Sequence, residues 1–526
     1  MYIDNLKLFL ILCLGHIFLI CPVFAYEVYP AYKTQQWQNL LHYHNGKSVI
    51  NKGSDFFLAK DGYKNPKTEY IATLKAFSDN DVSKADNHAI CKYPARFDYV
   101  LKVNGFKKTD FPNVKCLAYE EYEQKVPIDN VTMIFASENN VSPSSMMGHS
   151  FIKLSGKNEN GLKEHSFSYF ATVDVSSTLK FYADILTLGI DGAYVLSPYS
   201  KKRDEYMLKE KRSLWEFDLN LTSKEIAYLK KHLWELKGHN IKYSLISHNC
   251  NTAVISILKV AKHKFATDSI KPFVTPVEYA QELYNKKLIK NISLEPTNYA
   301  KEKIKRYGVK NILSAHKSSS IEVGQRFSNM PYTELKISPV YQDIKDINTA
   351  YFDEAESKIG KLVLAYSEEK NRAYVKSLDV LKMRSIIDYS VSQDYSKYFK
   401  LSFENRLNET KNKLKPMAEF GLGYGVYGKQ LVGYFLPKVG FRYDDYANLY
   451  VAPEIGAIVR LSNKIKIITS YEQYFNAKSN NRGYNARYNC FLGYELSLNL
   501  DLHTEYNYYT DADISNEFYL GVSYKF

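Results

Sequence analysis

Repeated alternation of apolar and polar residues is the strongest constraint in this sequence of 526 residues. From about residue 320 to the C-terminus, about a dozen runs of roughly 8 to 13 residues change polarity at every second position. The last run places five apolar residues on one face: Phe518, Leu520, Val522, Tyr524 and Phe526. The run at 374–387 is poorly patterned, because Lys382 and Arg384 disturb it. Alternation on this scale is typical of an antiparallel barrel between lipid and a polar lumen, so a barrel of about 12 strands is predicted over 320–526.

The first 25 residues are typical of a secretory signal peptide. Lys7 supplies a positive charge, residues 8–20 form an apolar run, and residues 23–25 end on the small residue that signal peptidase reads. The run is short for a membrane span and Pro22 follows it closely, so an uncleaved anchor is the less favoured alternative. Export to the cell envelope is therefore predicted.

A soluble β-sandwich also alternates in polarity and is the alternative to the membrane barrel. Export favours the barrel, as does the abundance of aromatic residues, with 46 Tyr and 28 Phe. The terminal Phe526 resembles the signal that the assembly machinery of outer-membrane barrels reads. The predicted location is the outer membrane, with the rest of the chain facing the periplasm or the cell surface.

Export also decides how the cysteines that follow the signal segment are interpreted. Cys91 and Cys116 lie in one polar, loop-rich stretch, so a disulfide is predicted between them in an N-terminal α+β region at 26–125. Cys490 falls on the apolar face of its strand and is interpreted as packing. Cys250 is left without an evident disulfide partner.

Residues 126–315 alternate strand and helix signals, which predicts a separate α+β domain. Three strands are predicted, at 130–137, 148–154 and 165–173. A polar, glycine-bearing turn joins the last two, so they should form an antiparallel hairpin. Thr222 and Glu225 form a capping box at the start of one helix, and a second helix begins near Cys250.

Two short motifs in this domain point to nucleophilic catalysis. In the first, His149 opens a strand directly after Gly148, and in the second Cys250 lies at the predicted start of a helix. The helix dipole and unpaired N–H groups there lower the pKa of a thiol and favour the nucleophilic thiolate. An imidazole on a neighbouring strand can accept the thiol proton and return it to a leaving group. We therefore predict Cys250 as nucleophile and His149 as general base.

Five neighbouring residues receive secondary roles. His248 is the competing base and ranks second, because residues two apart at a helix start diverge in direction. His165 or Ser168, on the other strand of the hairpin, is predicted to orient the base. Asn249 and Ser145 are predicted to support the site or its oxyanion. A single cysteine or histidine is more often structural, so the pairing carries the prediction.

Other classes of chemistry lack a signal in this sequence. There is no metal-ligand spacing, no phosphate-binding loop and no basic motif interleaved with aromatics. No cofactor, metal or nucleic-acid partner is therefore predicted. The net charge of +13 weakly favours anionic partners such as lipid headgroups.

The segments FASENNVSPSSMMGHSFIKL, RSLWEFDLNLT and YSLISHNCNT together resemble the Lnb N-terminal periplasmic domain family, which is named for a bacterial lipoprotein N-acyltransferase. The resemblance covers roughly residues 120–265 and implies a permuted papain-like thiol enzyme. By that resemblance His149 is the general base and Cys250 accepts the acyl group. Three residues match the middle motif, for which a structural role is implied: Arg212, Trp215 and Glu216. Members often have Ser or Thr after the cysteine, whereas Asn251 follows here.

The function implied is an exported thiol acyltransferase anchored by an outer-membrane barrel. It would move a fatty acyl group from a phospholipid, through a Cys250 thioester, to an amine such as the N-terminus of a lipoprotein. One alternative is a thiol hydrolase of the same fold that acts on lipid esters or peptidoglycan amides. The other is a non-catalytic barrel with a periplasmic binding domain, in which Cys250→Ala would leave function intact.

Overall fold

A computed structural model of the chain describes residues 31–137, 148–171, 184, 189–244, 248–269, 271, 273–405, 414–443, 447–476, 484–512 and 515–526. The predicted signal peptide and the predicted site residue Ser145 lie outside these described residues. The described chain forms a helical N-terminal region, a β-sheet packed between helices, and a closed β-barrel.

The N-terminal region is mostly helical and is fastened to the sheet that follows. Its helices are Gln35–Leu40, Pro66–Phe77, Ala89–Lys92, Pro94–Asn104 and Leu117–Lys125, with short strands at Tyr43–His44 and Lys47–Ser48. The predicted Cys91–Cys116 disulfide is confirmed, with the two Cα atoms 5.2 Å apart. Arg96 is fully buried and pairs with Glu69 at 3.0 Å. Its backbone N–H donates to Glu235, 2.9 Å away, which ties the region to a helix of the sheet domain described next.

The sheet domain is built on seven antiparallel strands. In spatial order they are Asn240–Tyr243, Ile190–Pro198, Gly161–Ala171, His149–Asn158, Asn130–Ala136, Leu214–Leu219 and Ile289–Glu295. The predicted hairpin is confirmed, with Ile152 opposite Phe167. We refer to His149–Asn158 as the His149 strand.

Helices lie on both faces of this sheet, because successive side chains point to opposite faces and both sets are buried in strands such as Asn130–Ala136. They are Tyr199–Asp204, which continues into a turn at Glu205–Lys209, then Ser223–Leu236, Cys250–Ala261, Pro276–Asn285 and Asn298–Tyr307. Ile152 and Leu154 share a core with the Ser223–Leu236 and Cys250–Ala261 helices, whereas Phe151 packs with Tyr199 and Tyr206 on the other face. The predicted capping box is confirmed, since Glu225 N–H donates to Thr222 Oγ1 at 3.3 Å.

The C-terminal part is a closed antiparallel barrel of 12 strands, as predicted. The strands are Ser320–Phe327, Tyr332–Ser338, Glu354–Ser367, Arg372–Ile386, Ser396–Glu404, Lys415–Tyr427, Leu431–Leu436 continued by Lys438–Tyr443, Ala447–Val451 continued by Glu454–Arg460, Ile465–Gln473 continued by Phe475–Asn476, Ala486–Ser497, Leu500–Thr510 and Asn516–Lys525. The first strand pairs with the last from Ser320 opposite Lys525 to Phe327 opposite Phe518. This closure rules out the two-sheet sandwich.

The barrel has apolar side chains on its outside and polar side chains on its inside, which is the reverse of the arrangement in a soluble protein. Its outward side chains are apolar and exposed, including the predicted face of the last strand and Cys490 with its neighbours Tyr488 and Leu492. Its inward side chains include buried charges such as Arg384, which pairs with Glu454 at 2.7 Å. Closure pairs the backbone polar groups along every strand, which a hydrocarbon environment demands. The barrel is therefore of the outer-membrane type.

Among the described residues, no helix combines the length and the apolar character that a membrane crossing needs.

The segment after the second barrel strand enters the lumen. Lys345 pairs there with Glu505 at 2.6 Å, and Asp346 pairs with Lys525 at 2.9 Å. A cavity of about 170 Å³ remains beside this segment and is lined mainly by charged side chains. Because Lys525 ends the last strand, the segment fills the lumen at the end where that strand finishes.

The sheet domain contacts the same end of the barrel. Its last helix, Asn298–Tyr307, places Lys303 3.2 Å from Asp353, and Tyr307 Oη donates to the Tyr427 carbonyl at 3.2 Å. Lys271 Nζ donates to the carbonyl oxygen of the C-terminal Phe526 at 2.8 Å. These contacts join the domain to the rim of the barrel.

Tyrosine rings lie directly over glycines of neighbouring barrel strands, which explains part of the tyrosine excess. Tyr450 is paired with Gly440, and Tyr434 with Gly456. A Cβ atom added at Gly440 would come within 2.1 Å of the Tyr450 ring, whereas one added at Gly433 would meet nothing within 4 Å.

Gly440→Ala is therefore expected to destabilise the barrel by about 1–3 kcal/mol, because the new methyl group displaces a packed ring. The matched variant Gly433→Ala adds the same methyl group in open space. Thermal unfolding of the purified protein, followed by the circular dichroism of its strands, measures both. Equal melting temperatures for the two variants would contradict the packing role of Tyr450.

Candidate active site

Cys250 is the first residue of the Cys250–Ala261 helix, as the sequence predicts. The Asn249 side chain caps this helix, because its Oδ1 accepts hydrogen bonds from the backbone N–H groups of Asn251 and Thr252, both at 3.0 Å. Asn249 therefore caps the helix whose first residue is Cys250, and its predicted support of the site stays a prediction. We call Cys250–Ala261 the Cys250 helix.

The start of the Cys250 helix packs against the start of the His149 strand. Ser150 Oγ donates to Asn251 Oδ1 at 3.4 Å, and Asn251 Nδ2 donates to the Val274 carbonyl at 2.8 Å. Both Ser150 and Asn251 are buried. His149 directly precedes Ser150 and Cys250 directly precedes Asn251, so this contact brings together the chain segments of the two predicted catalytic residues. Asn251, which departs from the family pattern, forms the link.

The His149 ring lies among aromatic rings. Its centroid is 5.2 Å from that of Phe170 and 5.8 Å from that of Tyr206. His149 Nε2 is buried and has no hydrogen-bond partner among the described residues. Burial, followed by the positive charges of Arg212 and Lys202, lowers the pKa of His149 to about 3. The imidazole is therefore neutral at ordinary pH and has the protonation state of a base.

Because side chains alternate along a strand, those of His149 and Ser150 point to opposite faces of the sheet. His149 shares the sheet face of Phe151 and Tyr206, and Ser150 faces the Cys250 helix. Ser150 is thus the strand residue that hydrogen-bonds with the Cys250 thiol, through both its backbone and its side chain. This role of Ser150 was not predicted, because the phase of a strand relative to a helix is set by packing.

The expected lowering of the Cys250 pKa is wrong. The thiol is buried, and burial raises its pKa above the ordinary value. Hydrogen bonds with Ser150 and the positive charge of Arg212 act in the opposite direction but do not prevail. The helix N-terminus does not offset the loss of hydration, so the resting thiol is protonated at neutral pH.

Arg212 is the charge that both predicted catalytic residues share. It is buried, and its guanidinium donates to the carbonyl oxygens of Ser137 and Ala136, both at 2.7 Å. Its charge lowers the pKa of Cys250 and the pKa of His149. Arg212 therefore acts electrostatically on the site, beyond the structural role that the family motif implied. A buried arginine held by backbone carbonyls has no signature in sequence other than that motif.

Of the predicted accessory residues, His165 is separated from His149. His165 is paired with Leu154, five positions along the strand from His149, or roughly 16 Å away, so the structure does not bring these histidines together. Ser168 has a buried hydroxyl without a hydrogen-bond partner among the described residues. The ring of His248 lies against His44 of the N-terminal region, with centroids 6.3 Å apart.

Residues 118–311 match the family model of the Lnb N-terminal periplasmic domain, which confirms the resemblance found in the sequence. This part of the chain is therefore similar to an Lnb N-terminal periplasmic domain and is joined to an outer-membrane-type barrel, and together they point to the cell envelope and the outer membrane. Residues 31–103 and 313–524 match two families described as domains of unknown function, DUF7843 and DUF7840.

Solved structures of outer-membrane proteins align with part of the chain. A NanC porin is 12% identical, with 40% of this chain and 100% of its own covered and a TM-score of 0.27. An outer membrane channel from Pseudomonas putida F1 is 6% identical, with 40% of this chain and 96% of its own covered and a TM-score of 0.27. Among curated proteins, none matches this chain.

The raised pKa of Cys250 predicts how alkylation should depend on pH. Because burial favours the neutral thiol, the rate of reaction with iodoacetamide should rise with a midpoint above about 8.5, the usual thiol pKa. Ser150→Ala removes a hydrogen bond that stabilises the thiolate, so the midpoint should rise by roughly one further unit. Both are measured in a Cys490→Ser background.

Ser166→Ala is the matched control, because the Ser166 hydroxyl bonds with Ser197 at 2.9 Å and takes no part in the site. Its midpoint should equal that of the parent. A midpoint below about 8.5 in the parent, or one that Ser150→Ala leaves unchanged, would contradict the assigned environment of Cys250.

Proposed function

We propose that this protein is an outer-membrane thiol acyltransferase that takes a fatty acyl group from a phospholipid onto Cys250. The observation that carries the proposal is the placement of Cys250, a cysteine outside any disulfide at the first residue of a capped helix. The helix start contacts the strand that His149 opens, and the charge of Arg212 acts on the Cys250 thiol. The order of strand histidine and helix cysteine supports a permuted papain-like active site.

The protonation states favour general-base catalysis over a resting ion pair. Both the Cys250 thiol and the His149 imidazole are neutral at ordinary pH. In the proposed reaction, His149 Nε2 takes the thiol proton while Sγ bonds to the ester carbonyl carbon. Collapse of the tetrahedral intermediate breaks the ester bond, and the departing lysophospholipid oxygen receives the proton. The products are an acyl thioester and a lysophospholipid.

Two features of the site bear on this step. The Arg212 charge favours negative charge on the sulfur, and its ion pair with Glu210 at 2.8 Å offsets part of that effect. The low pKa of His149 means that imidazolium is short-lived and gives its proton up readily. Because His149 and Ser150 face opposite sides of the strand, we propose that the ring turns around the strand end to reach Sγ. Substrate entry is the event that we expect to drive this turn.

An amine completes the proposed cycle. The N-terminal amine of a lipoprotein attacks the thioester carbonyl, the imidazole accepts a proton from the amine, and the thiolate leaves as a thiol. The result is an amide bond and free Cys250. The acceptor is supported by the resemblance to the lipoprotein N-acyltransferase family, whereas the nucleophile is supported by the site itself.

Purified protein incubated with phospholipid that carries labelled acyl chains tests the proposal. With a lipopeptide bearing a free amine, label should appear on the lipopeptide for the parent and for Cys490→Ala, but not for Cys250→Ala. Label released only as fatty acid would indicate the hydrolase instead. Label that remains on phospholipid in every case would favour the non-catalytic binding domain.

His149→Gln should lower the rate of acyl transfer by about 10²–10⁴-fold, the usual contribution of a general base. His165→Gln is the control, because His165 lies opposite Leu154 and far along the strand. The rates are compared at saturating phospholipid. A raised pH midpoint of Cys250 alkylation, which unfolding would abolish, is the check that each variant is folded. A parental rate in His149→Gln would remove His149 from the mechanism.

A further inference from the structure

The lipid-facing band of the barrel ends in a cluster of exposed tyrosines at the rim that the sheet domain contacts. The Tyr389 and Tyr424 rings are 4.9 Å apart between centroids, and the Tyr395 and Tyr424 rings are 5.3 Å apart. Phe420 and Leu422 continue the exposed apolar face along the strand of Tyr424. Aromatic belts of this kind mark the level of the lipid headgroups. The cluster therefore locates the membrane surface on this side of the barrel.

A segment of the sheet domain lies beside this belt. Lys211 Nζ is 2.8 Å from Asp394 Oδ2, and Asp394 directly precedes Tyr395. We call residues 199–211 the docking segment; it consists of the Tyr199–Asp204 helix, the turn that follows and two further residues. The ion pair itself is exposed and contributes little to stability, but it shows that the segment lies next to the headgroup level.

The docking segment has the surface chemistry of a membrane-binding element. Leu208 is 71% exposed, which is unusual for a large apolar side chain. Lys201 and Lys209 are also exposed, and the segment holds five basic and three acidic residues, so it is net positive. An apolar side chain flanked by lysines suits insertion among anionic headgroups.

The same segment reaches the candidate active site. Tyr206 lies two residues before Leu208, and its ring contacts His149. Arg212 follows Lys211 directly, and its charge acts on Cys250. One short stretch of chain therefore connects the headgroup level of the barrel with the two residues to which catalysis is assigned.

We propose that the docking segment rests on the membrane leaflet that surrounds this end of the barrel, with Leu208 inserted between anionic phospholipids. The phospholipids of this leaflet would thereby supply the acyl groups that Cys250 accepts. The docking stands on the position and chemistry of the segment alone, and its consequence for acyl supply rests on the proposed function.

Fluorescence quenching tests the docking without any use of activity. The full-length Leu208→Trp variant is reconstituted in vesicles that contain phosphatidylglycerol with brominated acyl chains. We expect the introduced indole to be quenched more than the native tryptophans, which every variant shares. Leu162→Trp is the control, because Leu162 is 59% exposed and lies opposite Lys157, roughly 23 Å along the His149 strand from Ser150. Equal quenching in the two variants would overturn the docking.

A second measurement tests the consequence for acyl supply. The variant with both Leu208→Glu and Lys209→Glu should lose about tenfold in acyl transfer from anionic vesicles, because it removes the apolar anchor and reverses a charge. Leu162→Glu should keep the parental rate. A parental rate in the double variant would overturn the supply role. If the parent transfers no acyl group but the Leu208→Trp variant is quenched as expected, docking stands and the proposed function fails.

Discussion

The pairing of the first barrel strand with the last is the interaction on which the rest of the molecule depends. It joins Ser320–Phe327 to Asn516–Lys525 and leaves no free strand edge in the described barrel. Closure in lipid then requires apolar side chains outside and polar side chains inside, which is the alternation seen in the sequence. It also fixes a rim against which the sheet domain is held. The contact of the sheet domain with the membrane end of the barrel therefore depends on barrel closure.

Burial decides the chemistry of the candidate site. Removal of water raises the pKa of Cys250 and lowers the pKa of His149, so both groups rest in their neutral forms. A protonated thiol is a poor target for oxidants, which suits a free cysteine in an oxidising compartment. The same effect makes the reaction depend on proton transfer during attack. Arg212, held by backbone carbonyls, is the fixed charge that favours the thiolate when it forms.

The sequence predicted elements whose signals are local, and it failed where packing or register decides. The barrel strands were evident from period-two alternation, except near 374–387, where a register shift between Asp379 and Leu381 interrupts the pattern. The helix start near Cys250 was also predicted, because the helical signal lies in the stretch of sequence that follows it. By contrast, the register of a hairpin put His165 opposite Leu154, and the packing of helix on sheet put Ser150 against the thiol. Neither is encoded in residue spacing alone.

Covalent catalysis by Cys250 is the central claim, and the mass of the intact protein after mixing with phospholipid alone tests it most directly. Without an amine acceptor, the thioester should accumulate, and the mass should rise by one fatty acyl group. Peptide mapping should place that group on Cys250, and neutral hydroxylamine should remove it. An unchanged mass, or an acyl group that persists in Cys250→Ala, would contradict the account.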